Sequence, residues 1–408
     1  MNSLREIVES SQRLRNLVSH SLRDEDRGPR PGRGPQAGRP LGVVDSPAGA
    51  ADSPQALAPS IWDWQPIKRV LVVRLRSIGD TVLSTSSLVA LRRFLPEARI
   101  DILLEDWVAP VLEGFPYVNG VSALTRGSLK SRAQVARRLR ANRYDVVYNL
   151  HGGTTATFLT RATSARHRVG FETYQYSGLH NHLAPSPLLL WGRDQTHSVE
   201  QQLSLLGWTG IPVSDRPPTE LAVTKPAAAS VSARLEASGL GDLPFAVIHP
   251  VAAFATKQWS AENFGKVATE ISETGLPIVA IATPKETHVI EELKKNTTAP
   301  VMACTELSLP EITALLGRAR LFIGNDSGIA HMAAAVKAPS VVIFGSSNRT
   351  HWRPWTTAAA EVVYEEMECQ PCHGYYCEKF EQPECIKRVP VDRVMASVER
   401  VLRESSSI

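Results

Sequence analysis

No run of 18 apolar residues occurs anywhere in this 408-residue chain, so no segment reads as a transmembrane helix. The N-terminus also lacks the continuous apolar core of a secretory signal, and the expectation is a cytoplasmic protein. Net charge is small, only +4, which excludes a wholesale nucleic-acid binder and makes local clusters of charge more informative than the total. No Gly-x-Gly-x-x-Gly follows the first predicted strand, where Arg76-Ser-Ile-Gly-Asp80 stands instead, and this argues against a nicotinamide-dependent oxidoreductase. Cysteine is scarce as well, with five in all, but four of them crowd into residues 369–385. What is present is globular: 43% hydrophobic and 21% charged residues, in a chain long enough for two domains that each bury a core.

The chain divides by composition. Residues 1–60 form an extension. Within it, Leu4, Ile7, Val8, Leu14, Leu17, Val18 and Leu22 fall on one helical stripe. That stripe reads either as a marginal helix on a tail or as an amphipathic helix for an anionic membrane surface or a partner helix. Residues 24–60, rich in Pro, Gly, Arg and Ala, read as a disordered linker. Folded structure is expected from residue 66, in a first domain to 235. Its strands are Arg69-Val-Leu-Val-Val-Arg-Leu75, Arg99-Ile-Asp-Ile-Leu-Leu104 and Asp145-Val-Val-Tyr-Asn-Leu150, alternating with helices. The segment from about 170 to 240 is Pro-punctuated and irregular, apart from a helix near 196–206. A fresh series of strands and helices from 240 to 390 predicts a second domain, and Val391, Val394, Met395, Val398, Val401 and Leu402 predict a closing helix over 391–405. Strands alternating with helices mean α/β sheets with right-handed crossovers, whose ligands bind beyond the C-terminal strand ends.

The most informative stretch is residues 324–345. A hydrophobic run ends at Ile323, and Gly324 and Gly328 bracket the turn Asn325-Asp326-Ser327. A helix of small residues and the strand Ser340–Phe344 follow. A polar turn at a helix N-terminus aims backbone N–H groups at its occupant, a geometry that suits a diphosphate. The core Asp-Ser-Gly-x-x-His-x-Ala-Ala-Ala, then Pro339 and Phe344-Gly345, resembles the sugar-nucleotide end of glycosyltransferase family 9, the ADP-heptose:lipopolysaccharide heptosyltransferases. Two further blocks resemble that family in the same order: Arg74-Leu-Arg-Ser-Ile-Gly-Asp80, and His249-Pro-Val-Ala-Ala-Phe-Ala-Thr-Lys257-Gln-Trp259. The resemblance covers about residues 67–360. It implies the GT-B architecture, two Rossmann-like domains facing across a cleft. It also implies an inverting, metal-independent transfer of a sugar from a nucleotide-diphospho-sugar such as ADP-heptose to a glycolipid such as lipopolysaccharide core, at the inner membrane face.

By that resemblance Asp80 is the general base that takes a proton from the acceptor hydroxyl. Read without it, Asp80 is equally a first-turn carboxylate stabilised by the helix dipole. Lys257 is implied to face the phosphates, where an ammonium lowers the barrier to loss of a diphosphate; read alone it is a solvated lysine. Asp326 matches the donor-binding aspartate, with amides supplied by Ser327 and Gly328, although Asp and Gly are also ordinary turn residues. His331 reads as a phosphate contact or as a packed helix residue. Glu286 matches a ribose-binding glutamate or is a helix-start carboxylate. Gly79, His151 and Gly152 are the candidate acceptor contacts. Two departures stand out: Val251 where the family usually has Gly, and Thr283-Pro284 where it often has a glycine pair.

Two features lie outside the family pattern or beside it. The spacing Cys369-x2-Cys372-x4-Cys377-x7-Cys385 fits a tetrahedral structural metal, with zinc preferred over an iron–sulfur cluster or two disulfides. Its expected role is to pin the tail near the cleft. Cys304 reads as buried core. Residues 126–143 carry Arg126, Lys130, Arg132, Arg137, Arg138, Arg140 and Arg143 with no acid. Such a run is either a solvated helix face or an attractor for a lipid-linked, phosphorylated acceptor. A non-catalytic sugar-nucleotide-binding scaffold remains the main rival reading, and the joint presence of Asp80 and Lys257 counts against it.

Overall fold

The computed structural model describes residues 53–372 and 376–406, so the amphipathic stripe of residues 1–23 and the linker as far as residue 52 lie outside the described residues. The described chain builds two six-stranded sheets, parallel throughout. The first contains β1 (Arg69–Val73), β2 (Arg99–Glu105), β3 (Gly120–Leu124), β4 (Val146–Asn149), β5 (His167–Phe171) and β6 (His182–Ala184), in the order β3-β2-β1-β4-β5-β6. Around it run α1 (Ile78–Phe94), α2 (Leu129–Ala141), α3 (Thr154–Ala162), α4 (Pro187–Trp191) and α5 (Ser198–Trp208). The central strands are apolar at successive positions because helices cover both faces: Val70, Leu71, Val72 and Val73 are all fully buried.

The second half opens with α6 (Lys225–Ala237). It continues through β7 (Ala246–His249), α7 (Ala261–Glu273), β8 (Ile278–Ile281), α8 (Thr287–Lys295), β9 (Val301–Cys304) and α9 (Leu309–Arg318). Then come β10 (Leu321–Asn325), α10 (Gly328–Ala335), β11 (Ser340–Phe344), α11 (Arg349–Trp352), β12 (Ala360–Tyr364), α12 (Glu384–Lys387) and α13 (Val391–Glu404). The sheet order is β12-β11-β10-β7-β8-β9, the same winding as the first sheet. Each sheet therefore reverses direction beside its first strand, between β1 and β4 and between β7 and β10. A crevice opens beyond the carboxyl ends of the strands at such a reversal.

The halves are not independent. α1 packs across α10, and the short turn Ala109–Leu112 of the first half packs on α9. One apolar cluster extends from Val72 and Ile100 in the first sheet to Val247, Phe322 and Phe344 in the second. Among the described residues no helix is long and apolar enough to cross a membrane.

Two boundaries differ from the expectation. Pro54–Ser60, assigned from composition to the disordered extension, lies along α5: Leu57 and Ala58 donate their N–H groups to the Gly207 carbonyl at 3.1 and 3.2 Å. Gly207 and Gly210 make room for it, since a Cβ on Gly210 would sit 2.3 Å from Ser60 Oγ. The segment from 170 to 240 holds β6, α4 and the 13-residue α6, where irregular chain was expected. β6 has only three residues, His-Leu-Ala, too few to display a strand period, and prolines follow it directly.

Candidate active site

The turns at the two reversals hold nearly all the residues singled out from the sequence. After β1, Ser77 caps α1 in an extended conformation, and Asp80 returns its Oδ2 to the Ser77 N–H at 3.2 Å and to its hydroxyl at 3.1 Å. The other carboxylate oxygen forms an ion pair with Arg74, whose Nη1 donates to the Leu150 carbonyl at 2.6 Å. Arg74 thereby joins the ends of β1 and β4 and fixes Asp80 between them. Burial pushes the Asp80 carboxyl up, but Arg74, the two Ser77 bonds and His151 together hold it below the usual carboxylate range. Asp80 is thus ionised at neutral pH and available to accept a proton.

Beside it, after β4, the N–H groups of His151 and Gly152 both donate to Asn149 Oδ1, at 3.1 and 3.0 Å. Gly152 has a positive φ of 78°, and a Cβ there would lie 2.5 Å from the Tyr174 ring, so only glycine fits. Burial first, and then the Arg74 charge, push the His151 imidazole down to about 3. It is neutral at physiological pH, and its buried Nδ1 has no hydrogen-bond partner among the described residues.

In the second half, Lys257 Nζ lies 3.0 Å from Asp326 Oδ2, and Ser347 also donates its hydroxyl to that oxygen. The short turn Ala255–Lys257 after β7 rests on the loop after β11: Ser346 N–H donates to the Thr256 carbonyl at 3.1 Å. A Cβ on Gly345 would come within 2.2 Å of that same carbonyl oxygen, which explains the glycine at this position. Ser327 caps α10 but does not turn its hydroxyl onto the helix amides; its Oγ lies 3.3 Å from His249 Nδ1 instead. Ala330 N–H donates to the Ser327 carbonyl at 3.1 Å, and the Gly328 and Ile329 N–H groups keep their capacity for an anion. Burial pushes the His249 ring down to about 4, opposed by the Glu286 charge. Glu286 itself accepts from Thr283 N–H and Oγ1 at 3.0 and 2.6 Å, a capping box. The helix-start reading of Glu286 is the one seen, and its carboxylate also lies near enough to His249 to bear on it.

The two turns come together where α1 crosses α10. A Cβ on Gly79 would lie 2.7 Å from His331 Cδ2, and one on Gly328 would lie 2.8 Å from the Ile78 Cβ. Glycine at both places lets two helix N-termini touch. His331 stands between the halves, close enough to Asp80, Asp326 and Lys257 for their charges to act on its ring, and its buried Nδ1 has no hydrogen-bond partner among the described residues. Sequence reasoning assigned no role to Arg74, Ser347, Tyr174 or His351. Ser347 follows β11 as Ser327 follows β10, so its place beyond a strand end was a usable signal. His351, whose Nδ1–H donates to the Thr196 carbonyl at 2.9 Å, had none.

A family model described as glycosyltransferase family 9 (heptosyltransferase) matches residues 132–381. The chain belongs to that family. It is 29% identical over 347 residues to lipopolysaccharide heptosyltransferase 3 of Escherichia coli K12, a match covering 81% of this chain and 97% of the relative. A second Escherichia coli protein of that description is 27% identical over 353 residues, covering 82% and 99%. Among solved structures, a glycosyl transferase family 9 protein of Veillonella parvula superposes with TM-score 0.73 at 20% identity, covering 83% of this chain and 98% of that one. E. coli ADP-heptose lipopolysaccharide heptosyltransferase II superposes with TM-score 0.68 at 20% identity, covering 83% and 99%. The fold is GT-B, and this family 9 chain is a glycosyltransferase.

The cysteine segment packs near the donor side. Cys372 N–H donates to the Ser346 carbonyl at 3.0 Å, and Gln370 Nε2 to the Gly345 carbonyl at 2.6 Å. Cys304, Cys369, Cys377 and Cys385 are free thiols, and Cys304 is buried as expected. Burial first, and then the nearby Cys372, Cys369 and Cys377, push the Cys385 thiol up to about 11. Among the described residues, which omit 373–375 between Cys372 and Cys377, no three His, Cys, Asp or Glu side chains are arranged to hold a metal ion.

Proposed function

We propose that this family 9 protein is an inverting transferase that moves heptose from ADP-heptose to a lipopolysaccharide-core glycolipid at the inner face of the membrane. The observation that carries it is the meeting of an ionised, positioned Asp80 with Lys257, Asp326 and the open N-terminus of α10 at one helix crossing. The acceptor hydroxyl oxygen attacks the anomeric carbon while Asp80 takes the hydroxyl proton. The bond from that carbon to the diphosphate oxygen breaks, and ADP leaves with the electron pair. Lys257 and the α10 amides meet the charge that builds on the leaving group, which stabilises the transition state more than the ground state. In this reading His331, neutral through burial, contacts the phosphates, and His151 and Gly152 contact the acceptor. The relatives named as heptosyltransferases support the choice of sugar. Titrating the purified protein with ADP-, GDP-, UDP- and dTDP-sugars tests it. ADP-heptose should bind with at least tenfold preference and be consumed with a lipid acceptor; preference for another nucleotide would overturn the donor assignment.

We also propose that Cys369, Cys372, Cys377 and Cys385 hold a structural zinc ion that braces the loop after β11. The ligand types and spacing support this, as does the attachment of the segment to Gly345 and Ser346. Zinc would supply folding energy and no chemistry. Elemental analysis should find one zinc per chain, lost in Cys372→Ser together with thermal stability. Iron in its place would favour the cluster reading, and no metal would end the proposal.

A further inference from the structure

We propose that the face formed by α2, α3 and the turn after β5 docks on an anionic phospholipid bilayer, so that the catalytic mouth meets its acceptor at the membrane surface. This rests on the glycolipid reading given above. Phe158 of α3 and Tyr176 are 53% and 52% exposed, yet their rings pair at 5.6 Å between centroids. Tyr176 is held with φ of 59°, a conformation uncommon for a bulky residue, and from there its ring stands outside the core. Leu129, at the start of α2, is 76% exposed. Aromatic rings flanked by leucine suit the zone between headgroups and acyl chains.

The charge around these rings is mainly positive, with the exposed Glu172 of the turn after β5 as the one acid close in sequence to Tyr176. Seven Lys and Arg residues lie in 126–143, all exposed, and Arg161, Arg166 and Arg168 follow, while Asp145 is the sole acid from 126 to 171. Asp145 is itself engaged, accepting from the Lys68 and Arg69 N–H groups at 2.9 Å. None of the seven forms an ion pair among the described residues. α2 packs on α3, and α3 on the turn that holds Tyr176, so basic and aromatic groups share one continuous surface.

That surface is joined to the acceptor side of the site. The loop after β4 carries His151 and Gly152 in the crevice and then runs into α3 with Phe158 outside. The loop after β5 packs Tyr174 on Gly152 and two residues later exposes Tyr176. Thr154 Oγ1 donates to Gln175 Oε1 at 2.9 Å, tying the two loops together. A glycolipid whose sugars enter beside Gly152 has its acyl chains left at the level of Phe158 and Tyr176. Nucleic acid, which also favours basic and aromatic groups, gives no reason for an exposed Leu129 or for this connection to the acceptor loops.

Flotation of the full chain with vesicles tests the surface. The protein should float with vesicles one-third phosphatidylglycerol and not with phosphatidylcholine alone. Phe158→Ser with Tyr176→Ser should weaken partitioning at least tenfold. Arg132→Gln, Arg137→Gln and Arg140→Gln together should weaken it about a hundredfold, because each basic residue at such a surface contributes a factor of about five. ADP binding should be unchanged in both variants, which shows that they fold. Variants that float like the parent, for instance through residues 1–23, would overturn the proposal. So would retention on heparin without vesicle binding, or sugar transfer by a protein that never floats. Flotation as expected without any sugar transfer would leave the docking surface standing and remove the transferase reading alone.

Discussion

Asp80→Asn is expected to cut sugar transfer by about 10² to 10⁴-fold, the range for loss of a positioned general base, while ADP binding stays within twofold of the parent. The amide keeps an oxygen for the Ser77 N–H, so the start of α1 retains its cap, but it takes up no proton and no longer neutralises Arg74. Equal losses in kcat and kcat/KM would place the defect in the transition state rather than in binding. The pH profile carries the same argument. Arg74 and its neighbours hold Asp80 below the ordinary carboxylate range. Transfer should therefore persist to mildly acidic pH and fail only as pH drops through that lowered value. In Arg74→Met the main opposing charge is gone and burial, which acts upward, dominates, so the acid limb should move up. An acid limb unchanged in Arg74→Met would mean that another group is the base.

Lys257→Ala is the second large effect. Removing a cation that faces the developing charge of a leaving diphosphate should lower kcat by about 10² to 10³-fold. The ion pair with Asp326 predicts how the loss is shared. Asp326 keeps its Ser347 bond, so the loop survives, but its carboxylate then faces the donor phosphates without a counter-charge. Donor affinity should fall along with kcat. Lys257→Arg should recover part of the affinity and little of the rate, since a planar guanidinium cannot occupy the position of the ammonium. Single-turnover kinetics with saturating acceptor separate the two. A variant that loses affinity with its single-turnover rate intact would confine Lys257 to ground-state binding.

Much of this fold is written locally. Strands such as β1 and β10 are buried on both faces, so their apolar runs stand out, and each ends in a turn of Gly, Asp and Ser that marks a helix start. Asp80 and Asp326 sit where a strand stops, which marks their turns, but the roles given to them and to Lys257 came from the resemblance to family 9. The pairings among them were not legible. Arg74 reaches Asp80 because β1 lies beside β4 and the Leu150 carbonyl fixes the guanidinium. Ser347 reaches Asp326 because β11 lies beside β10. Those neighbours are set by sheet order, which no single stretch encodes. Gly345 was visible only as a residue of a motif; its purpose depends on a carbonyl 89 positions earlier in the chain. The edge elements β6 and α4 were missed because they are shorter than the periods by which strands and helices are recognised.

The apolar cluster that spans both sheets has a consequence for how the molecule comes apart. With apolar side chains continuous from one half to the other, separating them would expose apolar surface where α1 crosses α10. Heat or denaturant should meet one cooperative body, melting in a single transition despite its two sheets.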